Sequence, residues 1–324
     1  MKKFRYINTI ILFSIGLSLS AQNSFPVDSS YNIPREQRKF AKRYPYAFPA
    51  KDSLPKGVIE YRNQVYLSLE NTPFGKRDLH LDIFKPEKEG KYPAVIMVHG
   101  GGWRSGTKDM QVPMAQMIAK EGFVTIPVEY QLSLEAKYPA AVHNIKAAIR
   151  WVRANAEKYD INPDKIAISG CSAGGHLAAL IGMTNGLEHF EGKMGLLDYS
   201  SEVQAIMDID GVLNFLAPSS LNLKRKPNSA DISWFGGSFE EKPGIWKEAS
   251  SIYWANENSV PILFLNSGYS RFHAGQDELI GMLNEWGVYQ EVHKFNIKVH
   301  PFWLFHPWVD ETVLYMVDFL NKVL

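Results

Sequence analysis

Apolar and polar positions along the chain sort into two kinds of segment that alternate. Five short runs are apolar almost throughout and end in polar or glycine-bearing turns: "YPAVIMVHG", "GFVTIPVEY", "KIAISG" from Lys165 to Gly170, "VQAIMDIDG" and "VPILFLNSG". Runs of this length with no polar face predict strands covered on both sides. "RDLHLDIFKP", from Arg77 to Pro86, instead places Leu79, Leu81 and Ile83 on every second position, the period of a half-exposed strand. A last strand is expected from about Tyr289 to Phe295. Between the runs lie helical patterns, clearest from Pro139 to Tyr159, where Val142, Ile145, Ala148, Ile149 and Val152 share one face. Strands alternating with helices predict an α/β fold with a mostly parallel central sheet and helices on both faces. The pattern spans residues 58–324. It lapses over 211–258, where Pro, Gly, Ser and isolated aromatics predict an irregular lid or insertion. Residues 22–57 carry little periodicity and read as a surface arm, and Lys224, Arg225 and Lys226 as a solvated loop tip.

The first residues belong to another category. "MKKFR" is basic, and the apolar "YINTIILFSIGLSLSAQ" follows, with small residues at Ser18, Ser20 and Ala21. That order predicts a secretory signal peptide over residues 1–21, cut after Ser20 or Ala21, and a secreted or periplasmic protein. The alternative is an uncleaved anchor, but the apolar stretch is shorter than the ~20 residues that span a bilayer. A formal net charge of +1 offers no basic field for nucleic acid. The lone cysteine, Cys171, excludes an internal disulfide, so core burial must stabilise the 324 residues. No histidine pair or cysteine cluster has metal-ligand spacing, and neither a metal nor a cofactor is expected.

The chemistry concentrates in "IAISGCSAGGH", where Cys171 and Ser172 stand side by side. Gly170-Cys171-Ser172-Ala173-Gly174 is G-x-S-x-G, led into by an apolar strand and out of by a small-residue helix. In that context the central residue sits on a strained strand-to-helix turn that lifts its hydroxyl above the sheet. Ser172 is central, and Cys171 should point into packing. Upstream, "VHGGGW" follows another buried strand. Its glycines free backbone N–H groups, and in hydrolases of this layout such a loop and the N–H after the nucleophile hold an oxyanion. The candidates are Gly101, Gly102 and Ala173.

Together, "HGGGW", "PDKIAISGCSAGGHLAAL" and "YPAAVHNIKAAIRWVRANA" resemble the α/β-hydrolase superfamily, specifically its HGGGW-type esterases, from about Tyr61 to the C-terminus. The family often has Asp where this chain has Asn144, a difference expected to affect packing. "HPFWLFHPW" is similar to a stretch in secreted bacterial carbohydrate esterases, acetylxylan and feruloyl esterase relatives among them. The resemblance implies hydrolysis of acetyl or feruloyl esters on plant cell-wall polysaccharides or their fragments, through an acyl-enzyme on Ser172.

The superfamily order of serine, acid and histidine places the base late. His300 lies in a loop after the last strand, with His306 as competitor; the family match favours His300. His293 should be a packed or surface residue of the strand, His176 a core residue, and His99 a buttress of its own loop. The acid usually follows the strand "VPILFLNSG", but that loop reads Tyr269-Ser270-Arg271-Phe272-His273, without a carboxylate. Asp210, at the end of the preceding strand, is the first candidate and Asp277 the second. Arg271 and His273 occupy the place of the missing acid. Trp103 is expected to line an acyl or sugar site. Two further readings remain open: a peptidase of the same fold, and a carbohydrate-binding relative without catalysis.

Overall fold

The structure, a computed structural model, describes residues 25–324. The segment read as a signal peptide lies outside the described residues. Eight strands form one sheet: β1 (Val58–Thr72), β2 (Gly75–Pro86), β3 (Tyr92–Val98), β4 (Val124–Val128), β5 (Ile161–Cys171), β6 (Ala205–Ile209), β7 (Ile262–Asn266) and β8 (Gln290–Lys294). Their spatial order is β1-β2-β4-β3-β5-β6-β7-β8. β1 and β2 form an antiparallel hairpin, β2 meets β4 antiparallel, and every later pairing is parallel. The chain has an α/β-hydrolase fold with a mostly parallel sheet, as the alternating runs predict.

β3 and β5 are central because their side chains are apolar on both faces. Along β3, Ile96 and Val98 join one core and Val95 and Met97 the other, and all four are fully buried. The alternation is the pleat of the strand. The first core lies under α3 (Ala140–Ala154), α4 (Ala173–Met183) and α5 (Gln276–Glu285). The second lies under α2 (Val112–Lys120) and α6 (Trp308–Val323). Among the described residues no helix is long and apolar enough to cross a membrane.

The arm and the first hairpin differ from the sequence pattern. Residues 33–40 form a helix, α1 (Ile33–Phe40), with Asn32 capping it by accepting the Arg35 N–H at 3.0 Å. Phe40 packs edge-on against Phe305, with ring centroids 4.8 Å apart, so this part of the arm is docked on the core. β1 was hidden because its sequence shows no clean alternation; bulges at three places shift its register against β2. β2 is less exposed than its period-two pattern implies, since Asp82 and Phe84 are also buried.

The irregular segment 211–258 folds into short helices over Pro218–Leu221, Ala230–Phe235 and Pro243–Glu248. It is anchored by Trp234 and Trp246, both fully buried. Arg225 is not a loop tip: it pairs with Asp231 at 2.6 Å and lies over the Trp246 ring. Asn144, where the resembling family often has Asp, is buried and accepts the Gln131 N–H through Oδ1 at 3.0 Å.

Candidate active site

The parallel register brings the strand ends to one rim. Val98 pairs with Gly170, and Ile209 with both Cys171 and Leu265, so the loops after β3, β5, β6 and β7 emerge together at the carboxyl edge of the sheet. Ligands gather at this edge in open α/β sheets, at the point where the strand order reverses.

Ser172 sits between the last residue of β5 and the first of α4, with φ 56° and ψ −117°. A serine in this region is strained and must be held by its surroundings. Its N–H donates to the Ile209 carbonyl at 2.7 Å. Two glycines make the close turn possible. A Cβ on Gly170 would lie 2.0 Å from the Gly174 carbonyl oxygen, and one on Gly174 would lie 2.2 Å from that of Val98. Cys171 faces the opposite way. It is fully buried, its Sγ lies 3.7 Å from Gln111 Oε1, and burial pushes its thiol well above the ordinary value. A buried neutral thiol is a poor nucleophile.

His300 Nε2 lies 2.8 Å from Ser172 Oγ, and His300 Nδ1 lies 2.8 Å from Asp210 Oδ2. The three residues proposed from sequence therefore meet in one chain of hydrogen bonds. Asp210 follows β6 with φ 53°, and its other oxygen accepts the Ser267 N–H at 2.7 Å. The loop after β7 is tied in turn to the loop that carries His300, because the Gly268 N–H donates to the Ile297 carbonyl at 2.6 Å. Burial acts to raise the pKa of Asp210. The bonds from His273, His300 and Ser267 outweigh it and hold the carboxyl below the ordinary carboxylate value. Burial pulls His300 below the ordinary imidazole value, with the bond to Asp210 opposing it. The imidazole is thus neutral and oriented, as a general base must be.

The glycine loop lies beside the serine. Gly101 and Gly102 have φ 121° and 60°, and a Cβ on Gly101 would lie 2.0 Å from the Ser105 carbonyl oxygen. Among the described residues nothing accepts from the N–H groups of Gly101, Gly102 or Ala173. These donors can turn to an oxyanion at Ser172. Trp103 holds the end of the loop. Its ring stacks on Trp234 at 4.9 Å and its indole N–H donates to His176 Nδ1 at 3.2 Å. His176 Nε2–H in turn donates to the Ala249 carbonyl at 2.7 Å, which fixes the neutral tautomer. Burial holds His176 down at about 4 and His99 likewise at about 4. Trp103 borders the cleft and is 8% exposed, with its ring packed on Trp234.

The remaining candidates lie elsewhere. His306 Nδ1 contacts Asp310 at 2.6 Å, and His293 stacks on Tyr315. Asp277 is on the first turn of α5. Asp208, in β6 two residues before Asp210, is buried with Oδ1 accepting the Gly211 N–H at 2.8 Å. Two neighbours of the triad were not assigned from sequence. His273 Nε2 lies 3.4 Å from Asp210 Oδ1, and Phe272 stacks on His300 at 3.5 Å between centroids. The missing acid in that loop was the only signal for them. The serine, the histidine and the glycine loop open into a cleft of about 540 Å³, walled also by Tyr31 and Glu36 of the arm.

A family model described as BD-FAE matches residues 81–280. Esterase LipC of Mycobacterium tuberculosis is 26% identical over 223 residues, which cover 68% of this chain and 55% of that protein. The chain spans about half the length, or less, of the curated relatives it matches first. Among solved structures, a truncated carbohydrate esterase from gut microbiota superposes with a TM-score of 0.71 at 26% identity, covering 85% of this chain and 98% of that one. A propionate-bound esterase of Thermogutta terrifontis superposes with a TM-score of 0.63 at 24% identity, covering 83% and 95% respectively, a likeness of fold.

Proposed function

The chain belongs to the BD-FAE family, and from that premise we propose that it is a serine esterase acting on acetyl or feruloyl esters of plant cell-wall carbohydrate. The observation that carries the reading is the pair of 2.8 Å contacts joining Ser172, His300 and Asp210. Ser172 Oγ attacks the ester carbonyl while His300 Nε2 takes its proton. The N–H groups of Ala173 and the Gly101–Gly102 loop bind the oxyanion of the tetrahedral intermediate. His300 returns the proton to the leaving sugar hydroxyl, leaving an acyl group on Ser172. Water, activated by the same imidazole, then releases the acid. Asp210 keeps the Nδ1 proton in place and stabilises the imidazolium. The carbohydrate part of the reading draws support from the gut-microbiota carbohydrate esterase and from the stretch around His300. The N-terminal basic and apolar residues support export.

The test is release of acetate and ferulate from acetylated and feruloylated xylans and pectins, with peptide amides as controls. The expected result is ester turnover by the unsubstituted protein and none on amides. Intact-mass measurement with an aryl acetate should catch an acetylated Ser172 peptide. Full ester turnover by Ser172→Ala would overturn the mechanism.

A further inference from the structure

The cleft carries more positive charge than its walls neutralise, although the whole chain is near balance at +1. Three cations at the cleft have carboxylate partners: Lys39 with Glu36 at 2.5 Å, Arg104 with Asp28 at 2.7 Å, and Arg225 with Asp231 at 2.6 Å. Asp210 is engaged by His300. Arg35, Lys224 and Arg271 remain, and among the described residues none of them has a carboxylate partner. They come from three separate segments: α1, the irregular segment and the loop after β7. Their convergence is a property of the tertiary structure, since no run of charge in the sequence joins them.

Arg271 is the best placed of the three. Its guanidinium lies over the Phe272 ring at 4.3 Å, and that same ring stacks on His300 at 3.5 Å between centroids. Phe272 therefore touches both the exposed Arg271 guanidinium and the imidazole beside Ser172. Stacking on an aromatic face leaves the N–H edge of an arginine free to fork onto a carboxylate. A neutral sugar chain gains little from such a cluster, whereas a cleft with low-dielectric walls concentrates its field on an anionic ligand.

Resting on the esterase reading above, we propose that the substrate is an acylated acidic carbohydrate, in which uronate carboxylates flank the ester and are received by Arg271, Lys224 and Arg35. The carboxylate on a residue neighbouring the acylated sugar would meet Arg271. Chain residues further out would meet Lys224 and Arg35 at the mouth. The ester chemistry is unchanged, and the charges act on binding.

The experiment compares kcat/KM on an acetylated oligogalacturonide, an acetylated xylo-oligosaccharide of equal length and an aryl acetate. The expected result is a preference for the acidic oligosaccharide of about tenfold or more at low ionic strength, shrinking as salt is raised. Arg271→Gln, and the double variant Arg271→Gln/Lys224→Gln, should lower kcat/KM on the acidic substrate at least about fivefold more than on the neutral one, the range of a charge-assisted bond at a solvent-facing site. Equal kcat/KM on acidic and neutral oligosaccharides, with the aryl acetate hydrolysed, overturns the acidic-substrate proposal and leaves the esterase reading standing. Failure to hydrolyse any ester overturns the esterase reading. Calorimetry with de-esterified trigalacturonate then still decides the anionic site. Salt-sensitive binding that weakens in the double variant supports it, and no binding by the unsubstituted protein overturns it.

Discussion

Asp210 and His300 lie 90 positions apart in the chain and 2.8 Å apart in space, joined carboxylate oxygen to Nδ1. Asp210→Asn keeps an oxygen for the Ser267 N–H but can present an amide donor to His300 Nδ1. The imidazole would then carry its proton on Nε2 and could not accept one from Ser172. Turnover of an aryl acetate should fall about 10⁴-fold with the fold intact, as loss of the correct tautomer does in such triads. Asp277→Asn, on the first turn of α5, should change turnover little. Steady-state kinetics with circular dichroism on both variants checks the pair.

The two adjacent nucleophile candidates should separate cleanly. Ser172→Ala removes the hydroxyl that faces His300 and should cost roughly 10⁴- to 10⁶-fold in turnover. Cys171→Ala removes a buried thiol that faces Gln111 and should retain most activity. A thiol reagent should leave the native protein unlabelled and label it only after unfolding, which mass spectrometry reads directly.

The pH profile follows from the protonation of His300. Only the neutral imidazole accepts the Ser172 proton, so activity is lost as pH falls through the pKa of His300. Because burial lowers that pKa from the ordinary 6.5 despite Asp210, the midpoint of the acid limb of kcat/KM should lie below 6.5. A midpoint above 6.5 would mean that the carboxylate, not burial, governs the imidazole.

Stability should depend on pH through two other histidines. His99 and His176 are held neutral at about 4 in the folded protein, while an exposed imidazole titrates near 6.5. Between those values the unfolded chain binds more protons than the folded one, so stability rises with pH across the window and falls on acidification towards 4. The loss should be on the order of a few kcal/mol per histidine at the acid end. Protonating His176 at Nδ1 also sets a proton against the Trp103 indole N–H. Thermal melts from pH 7 to pH 4, repeated on His176→Gln, should show the smaller acid sensitivity in the variant.

Gly174→Ala tests the turn itself. The added methyl would stand 2.2 Å from the Val98 carbonyl oxygen, a backbone atom that cannot step aside without moving β3. The variant should lose both activity and most of its folded yield. Trp103→Ala should act through stability too, costing about 3–5 kcal/mol as a large buried aromatic does, and should weaken turnover on small and large esters alike. Chemical denaturation alongside kinetics on both substrate sizes separates this from a sugar-binding role.

The apolar runs from Tyr92 to Asn266 determined the strands of the central sheet, because a strand covered on both faces leaves a continuous apolar record. G-x-S-x-G and HGGGW were equally legible, because glycines mark places where backbone approaches backbone too closely for a Cβ. Both signals are local. The hairpin strand β1 left no such record, since its bulges break the alternation. Docking of α1 depends on Phe40 meeting Phe305 and Trp308, residues more than 260 positions away that no local pattern can indicate. The same holds at the site. The chain order of serine, acid and histidine narrowed the base to His300 or His306 and the acid to Asp210 or Asp277. Only the parallel register of β6 against β7, with the loop of His300 tied back by Gly268 and Ile297, brought His300 to Asp210. Hydrogen-bonded triads and unpaired charges around a cleft are relations between loops, and loops take their positions from the sheet that carries them.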